Sequence, residues 1–391
     1  MTGHARVALV TAYYHPVLGG AEAAARRIAA FLVRRGHDVT VITTLTDPTH
    51  PRHATLDGVR IDRIGPPRAR ASSRKWTIMP RLAAELWRRR ADYDVLCVID
   101  YRGIGLPAIV VGRTLHRPVV IQAQTEGVLS GNHLTALQRV VSWPVRRAYT
   151  FADALACISK GIQAEAIAAG VPPGRVHDVP NTVDTERFHP AQPGEAARLR
   201  AELGWPADRP LGIFVGRLSR EKGIIDLLRA WERVQPKATL VVVGPDMPGH
   251  PWDESAKAHE LATSPALAGR VIFTGATGDP SPMYRAADFA VVPSHWESFG
   301  LSAAEAMASG LPVAASAVGG LTDYIVDRAN GLLVPAQDPD ALAAAIRRLI
   351  ADGGLRASLG TAAREAVAPF DERVVLDRFG TLLDRLAEAQ R

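Results

Sequence analysis

PSHWESFGLSAAEAMASGLPV, Pro293–Val313 of a 391-residue chain, shows in one stretch the alternation that the rest of the chain repeats. It reads as strand end, loop, helix, turn and strand. An apolar run, Phe289–Val292, stops at Pro293, and Glu297 follows in the loop. Gly300 lets the chain turn into a run of good helix formers: Leu301, Ala303, Ala304, Glu305, Ala306, Met307 and Ala308. Gly310 and Pro312 close that helix and open the next strand. Glu297 and Glu305 are eight residues apart. On a continuous helix that spacing is about 12 Å of axis with both carboxylates on one side. So placed, they can hold two ends of a long polar ligand across a helix N-terminus, which suits phosphate. The plainer alternative is a surface helix carrying two solvated glutamates, and only the surrounding loops can decide between them.

The same alternation runs outward in both directions. In the second half the spacing predicts strands at Leu211–Val215, Thr239–Val243, Val271–Thr274, Phe289–Val292, Val313–Ala315 and Gly331–Val334. Helices are expected at Ile224–Val234, Asp253–Ala262, Pro282–Ala287, Leu301–Ser309, Leu321–Val326, Pro339–Ala351, Leu355–Ala366 and Glu372–Glu388. In the first half strands are expected at Val7–Thr11, Val39–Thr43, Val59–Ile64 (as an added strand), Val95–Ile99, Val119–Gln122, Ala154–Ile158 and Val176–Val179. Helices fall at Ala21–Arg35, Pro80–Ala91, Ile104–Leu115, Leu134–Phe151 and Lys160–Ala169. Short apolar runs alternating with helices indicate parallel sheets covered on both faces. Pro180–Pro210, rich in proline, charge and turn residues around a short helix at Glu195–Leu203, reads as a hinge and linker. The expected fold class is α/β, with two doubly wound, Rossmann-like domains. Ligands of such sheets bind outside the carboxyl ends of the strands, and the cleft between two such domains is the default site.

Composition narrows the class. Hydrophobic residues make up 47% of the chain, the content of a globular protein. Cys97 and Cys157 both fall in apolar runs and read as buried free thiols of a reducing compartment. The N-terminus goes straight into a strand pattern, and no apolar run approaches the ~20 residues that span a bilayer. The expectation is a cytoplasmic protein. The formal net charge is +6, but lysine is confined to Lys75, Lys160, Lys222, Lys237 and Lys257. Arginine over lysine, with abundant alanine, is what a GC-rich coding sequence produces, so the charge is no argument for nucleic acid. Zinc-finger spacing and a basic tail are also missing. One basic run, from Arg68 through Arg70, Arg74, Lys75, Arg81, Arg88 and Arg89 to Arg90 with Trp76 and Trp87, is either a solvated face or a surface for weak contact with anionic lipid or an anionic acceptor.

The chemistry gathers at strand ends of the second half. After Val215 comes GRLSREKG, where Arg217 and Lys222 bracket a turn that leads into a helix, a sound design for a diphosphate. After Ala315 comes SAVGGLTDYI, where Gly319 and Gly320 let backbone amides approach a ligand. All these loops fall on one edge of the sheet.

At these residues the chain resembles a known family. VPNTVDTERFHP (Val179–Pro190), FVGRLSREKG (Phe214–Gly223), VIFTG (Val271–Gly275), YRAADFAVVPSHWESFGLSAAEAMASGLPV (Tyr284–Val313) and GGLTDYIVDRANGLLVPAQD (Gly319–Asp338) together are similar to the retaining glycosyltransferases of family 4. The E-x(7)-E pattern of Glu297 and Glu305 is that family's hallmark. The resemblance covers essentially the whole chain, more tightly in the second half. It implies the GT-B architecture, with an acceptor-binding domain over 1–180, a donor-binding domain over 181–369, and a final helix, about 370–391, packed back on the first domain. It implies a hexosyl-type transfer from a nucleotide sugar, UDP-linked in most similar proteins, to a hydroxyl. In this reading Arg217 and Lys222 bind the diphosphate, Glu305 the ribose hydroxyls and Glu297 hydroxyls of the donor sugar. The amides of Phe299, Gly300 and Leu301 steady the diphosphate, the backbone near Phe273 reads the base, and Gly19 and Gly20 close on the phosphates or acceptor. Catalysis rests on Glu297, Arg217, Lys222 and Glu126, without a tightly bound metal or cofactor. The implied reaction is a same-face displacement in which the leaving phosphate takes the acceptor's proton, unlike the two-carboxylate scheme of retaining hydrolases.

One departure stands out. The family usually carries a histidine after the strand corresponding to Val119–Gln122, just before a glycine. Here the loop reads QAQTEGVLSGNH, with Glu126 before Gly127. Glu126 is expected in the histidine's place, with His133 and Asp100 as further acceptor-binding candidates and His15 and Asp323 as lesser ones. The departure keeps open a GT-B protein that binds nucleotide or glycan without transfer; a sugar-nucleotide epimerase is a third reading. A dehydrogenase is excluded, because no G-x-G-x-x-G follows the first strand. The acceptor, the donor sugar and its base are not specified by the residues.

Overall fold

The computed structural model describes residues 4–17, 20–66, 71–99, 104–130, 142–144, 146–234 and 238–389. The chain divides into two compact units, residues 1–181 with 373–391, and residues 182–372.

The first unit is built on eight strands: β1 (Arg6–Thr11), β2 (Asp38–Thr44), β3 (His53–Leu56), β4 (Val59–Ile64), β5 (Val95–Ile99), β6 (Val119–Ala123), β7 (Ala154–Cys157) and β8 (Val176–Asp178), in the order β3-β4-β2-β1-β5-β6-β7-β8. All neighbours pair in parallel except β3 with β4. The helices are α1 (Gly20–Arg34), α2 (Ala71–Arg88), α3 (Gly105–Thr114) and α4 (Lys160–Ala168). The central strands are buried from end to end, as a sheet covered on both faces requires.

The second unit has α5 (Glu195–Leu203), β9 (Leu211–Val215), α6 (Ile224–Glu232), β10 (Thr239–Val243), α7 (Ser255–Ala262), β11 (Val271–Gly275), α8 (Ser281–Ala286), β12 (Phe289–Val292), α9 (Leu301–Ala308), β13 (Val313–Ser316), β14 (Leu332–Val334), α10 (Pro339–Ala351) and α11 (Gly353–Val367). Its six strands run β11-β10-β9-β12-β13-β14, all in parallel. Its core centres on Trp231 of α6, stacked on Phe289 of β12 with ring centroids 6.3 Å apart. Gly212 of β9 leaves room for that pair, since a Cβ there would lie 2.7 Å from the Phe289 ring.

The last helix, α12 (Glu372–Glu388), belongs to the first unit. Its Val375, Leu376, Phe379 and Leu383 share one apolar cluster with Leu9 of β1 and Ile28 and Leu32 of α1. Arg35, just past α1, fixes the contact through ion pairs to Asp377 and, at 3.0 Å, to Asp384. Gly380 permits the close approach: a Cβ there would sit 2.9 Å from Arg35 Cδ.

The elements depart from the sequence expectations at identifiable places. β3 was not expected. It joins β4 through Asp57 and Gly58, whose φ values of +54° and +77° suit a type I′ hairpin turn. The helix expected to start at Pro80 starts at Ala71 and runs through that proline, which costs one backbone hydrogen bond without ending the helix. Leu321–Val326 is not a helix; a 3-10 turn occupies Gly319–Asp323. Half of the helix expected over 134–151 lies outside the described residues; the rest is helical at 142–144 and 146–148 and ends in a 3-10 turn, Tyr149–Phe151. Of the basic run, Arg88 and Arg89 are both paired with Glu85, and Arg89 also with Asp62. Cys97 and Cys157 are buried and free, and burial pushes both thiols up to about 12.

Candidate functional site

In the second unit the polar residues singled out from sequence assemble at the carboxyl edge of the sheet. β9 ends at Val215, and Gly216 is tied back by its N–H to Val243 O at 2.9 Å. Arg217 follows, then a 3-10 turn at Arg220–Lys222, then α6. Gly223 joins turn to helix at φ +69°, and a Cβ there would lie 2.0 Å from Pro293 O. Only glycine lets the β9 loop pack this closely against the end of β12.

That close packing brings the charges together. Lys222 Nζ donates to Glu297 Oε1 at 2.5 Å, and Ser294 Oγ donates to the same oxygen at 3.0 Å. Arg217 pairs with Glu221, which is almost wholly buried. The backbone N–H of His295 donates to Glu221 O at 2.9 Å, and His295 Nε2 lies 2.7 Å from Asp226 of α6. The loop carrying Glu297 is therefore fastened to the β9 turn and to α6. Both cations rest on carboxylates, and an arriving anion competes for them.

The stretch around α9 is braced from the other side. Gly300 adopts φ +89° and opens the helix. The first N–H groups of α9 have no partner within the helix and carry its positive dipole end. Tyr324 Oη donates to Phe299 O and Gly300 O, each at 3.0 Å. Its ring packs 5.4 Å from Phe299 and 5.4 Å from Phe370. Gly320 lies beneath the loop: its N–H donates to Glu297 O at 3.0 Å, and a Cβ would lie 2.3 Å from Ser298 O. Glu305, one turn into α9, accepts from Tyr284 Oη at 3.4 Å. Burial first, then the carboxylates (Glu305 for Tyr284, Glu297 foremost for Tyr324), raise both phenols well above their ordinary range. Both therefore stay protonated hydrogen-bond donors.

The two glutamates are not held as one helix would hold them. Glu297 lies in the loop and only Glu305 is helical, because Gly300 breaks the path between them. Their eight-residue spacing spans a loop and one helical turn instead of about 12 Å of axis. Phe273 lies on β11, the outer strand of the sheet, with its ring 4.3 Å from that of His259. Among the described residues only one side of that strand is paired with another strand. Tyr284, Tyr324, Ser294 and the His295–Asp226 pair were not picked out from sequence. Tyr284 and Tyr324 do lie within the quoted motifs, but nothing local marks which carbonyl or carboxylate they reach.

In the first unit Gly20 opens α1. Gly19, Asp100 and His133 lie outside the described residues. Glu126 lies beside the N-terminal turn of α4: a Cβ on Gly161 would come within 2.7 Å of its Oε1. The loop that follows is pinned to the same helix, since Gly127 N and Ser130 N donate to Glu165 at 2.8 and 2.5 Å. Among the described residues no group of three or more His, Cys, Asp or Glu could hold a metal ion, and no helix is long and apolar enough to cross a membrane.

Comparison with known proteins matches these elements. Residues 18–187 fit the model of Glycosyltransferase Family 4, and residues 195–366 that of Glycosyl transferases group 1. A D-inositol 3-phosphate glycosyltransferase of Xylanimonas cellulosilytica is 41% identical over 208 residues; the match covers 50% of this chain and about half of that protein's length, 48%. One of the same name from Acidothermus cellulolyticus is 32% identical across 98% of this chain and 91% of its own length. Among solved structures, sucrose-phosphate synthase from Thermosynechococcus elongatus superposes with a TM-score of 0.82 at 29% identity, covering 98% of this chain and 99% of that one. With its two α/β units and a full-length relative above 30% identity, the chain belongs to the GT-B glycosyltransferases of family 4.

Proposed function

We propose that this glycosyltransferase moves a sugar from a nucleoside diphosphate, UDP in the first instance, to a hydroxyl of its acceptor with retention at the anomeric carbon. The observation that carries the reading is the Lys222–Glu297 contact at 2.5 Å, set beside Arg217 at the turn that opens α6. Lys222 and Arg217 supply positive charge where a departing diphosphate gains negative charge, and preorganised charges of that kind stabilise a transition state most effectively. The N-terminal amides of α9 add the helix dipole. Glu297 then hydrogen-bonds the sugar hydroxyls, and Glu305 the ribose. In the step itself the bond from the anomeric carbon to the diphosphate oxygen breaks, the acceptor oxygen bonds to that carbon on the same face, and the acceptor's proton passes to the leaving diphosphate. That scheme asks for no carboxylate nucleophile and no tightly bound metal. The first unit is assigned to the acceptor, a hydroxyl compound whose identity the scheme leaves open.

The test is a panel of UDP-, GDP- and ADP-glucose incubated with the purified protein and a screen of hydroxyl acceptors, scored by release of nucleoside diphosphate. One donor should release diphosphate in an acceptor-dependent way, and Glu305→Ala should weaken it. Binding without release across the panel points to a non-catalytic protein, and an isomerised donor without acceptor points to an epimerase. An unimpaired Glu305→Ala variant removes the ribose assignment.

A further inference from the structure

Gln124 and Asn181 form a buried amide pair that their own fold leaves half used. Gln124 follows β6 directly and Asn181 follows β8 by three residues, so both sit at the carboxyl edge of the first unit's parallel sheet. That edge is where open α/β sheets bind ligands. Gln124 is 8% exposed and Asn181 6%. Asn181 Nδ2 donates to Gln124 Oε1 at 3.1 Å. Among the described residues Gln124 Nε2 and Asn181 Oδ1 have no partner, nor has Oε1 of Gln122, the last but one residue of β6.

Rotating the amides does not repair this. Turning both side chains by 180° makes Gln124 the donor and Asn181 the acceptor, and leaves the other two atoms orphaned. One donor and one acceptor stay unmatched in either assignment. Buried polar groups of folded proteins are nearly always paired, so such an exception asks for an explanation. Glu126, the residue expected from sequence to face a substrate, lies beside the N-terminal turn of α4 near Gly161. The residue two positions earlier carries the unused hydrogen-bonding capacity.

We propose that Gln124 and Asn181, with Gln122 beside them, form a site for uncharged hydroxyl groups. The inference rests on the glycosyltransferase reading and deepens it. A free amide N–H2 with a free amide C=O both gives to and takes from a hydroxyl, which is itself donor and acceptor. Among the atoms concerned no formal charge favours phosphate or carboxylate. The hydroxyls come either from the transferred sugar or from the acceptor, and the experiment separates these sources.

The variant is Gln124→Met/Asn181→Leu, which keeps volume and removes both amides together. Affinities for UDP, for UDP-glucose, and for D-glucose and myo-inositol in the presence of UDP are measured by calorimetry on wild type and variant, with the melting temperature of each. We expect UDP affinity unchanged and a melting temperature equal or higher, because two mutually bonded polar groups with unmet capacity are replaced by apolar ones of similar shape. A loss of about tenfold confined to UDP-glucose assigns the site to the transferred sugar; the same loss confined to the polyols assigns it to the acceptor. Equal sugar and polyol binding in wild type and variant overturns the proposal, and with a lower melting temperature shows the pair to be structural. It also falls if wild type binds neither UDP-glucose beyond UDP nor either polyol. Wild type that binds no UDP while binding a polyol through these amides would instead fault the donor reading and leave this site standing.

Discussion

Lys222 Nζ and Glu297 Oε1 meet at 2.5 Å across two loops that are 75 residues apart in sequence. The cation proposed for the diphosphate and the carboxylate proposed for the sugar are thus each other's partner before a donor arrives. Lys222→Ala should lower UDP-sugar turnover by about 100-fold or more, the scale for removing one preorganised charge partner in a transition state. Glu297→Gln keeps a hydrogen-bonding group and should do less harm. Steady-state release of UDP by the two variants decides, and a milder effect for Lys222→Ala than for Glu297→Gln would reverse the roles given to them.

Tyr324→Phe removes the hydroxyl that donates to both Phe299 O and Gly300 O while keeping the ring contacts with Phe299 and Phe370. Two buried carbonyls lose a donor, which should cost about 1–3 kcal/mol in urea unfolding. Donor affinity should fall too, because the same loop carries Glu297 and opens α9. Unchanged stability would mean that the bifurcated hydrogen bond holds nothing in place.

Gly320→Ala tests the close packing beneath that loop. The new Cβ would meet Ser298 O at 2.3 Å, and a backbone atom cannot swing aside as a side chain can. Overpacking of this kind costs about 1–3 kcal/mol. Denaturant titration together with UDP-glucose affinity should show both falling. A variant as stable as wild type would show that the Glu297 loop has slack.

The pH dependence has a clear contributor in the first unit. Asp94 accepts hydrogen bonds from the Arg6 guanidinium at 2.6 and 3.1 Å and from its backbone N–H at 3.0 Å. The Arg6 side-chain contact, working against burial, lowers the Asp94 carboxyl to about 2. Its folded pKa lies below the unfolded value of about 3.9, so this contribution is complete above that pH and disappears as pH falls towards 2. Arg6 is substantially exposed, so solvent screening limits the effect to about 1 kcal/mol. The stability gap between wild type and Asp94→Asn should be open at pH 7 and close between about pH 4 and pH 2. A gap that is constant over this range would remove Asp94 from the acid response.

The parallel sheets and most helices were legible because the strands are short apolar runs, several of them closed by glycine or proline, as Phe289–Val292 is by Pro293. Arg217, Lys222, Glu297 and Glu305 were legible because strand-end loops of a parallel sheet collect on one edge. What stayed hidden depends on contacts across distance. Nothing near Tyr324 in the chain says that its hydroxyl spans to Phe299 and Gly300. β3 was missed although Asp57–Gly58 is a hairpin signal, because His53–Leu56 buries too little apolar surface to read as a strand. Pro80 misled because a proline normally marks a helix start, whereas α2 continues through it. The sequence placed Glu297 in the loop and Glu305 on the helix that follows Gly300, as the structure does; only the separation of about 12 Å, taken from a continuous helix, does not apply.

The return of α12 to the first unit has a consequence for synthesis on the ribosome. Phe379 and Leu383 complete an apolar cluster that begins at Val7 and Leu9. The strands of the first unit emerge first, yet the helix that seals them is translated only after residues 182–372. At ~5–20 residues per second that is a delay on the order of ten to forty seconds. The second unit is contiguous in sequence and can close during this interval, while the face of the first unit that receives α12 stays uncovered. Chaperones that guard apolar surface on nascent chains should therefore hold the N-terminal part of this protein longest, and release it only when its C-terminal residues have left the exit tunnel.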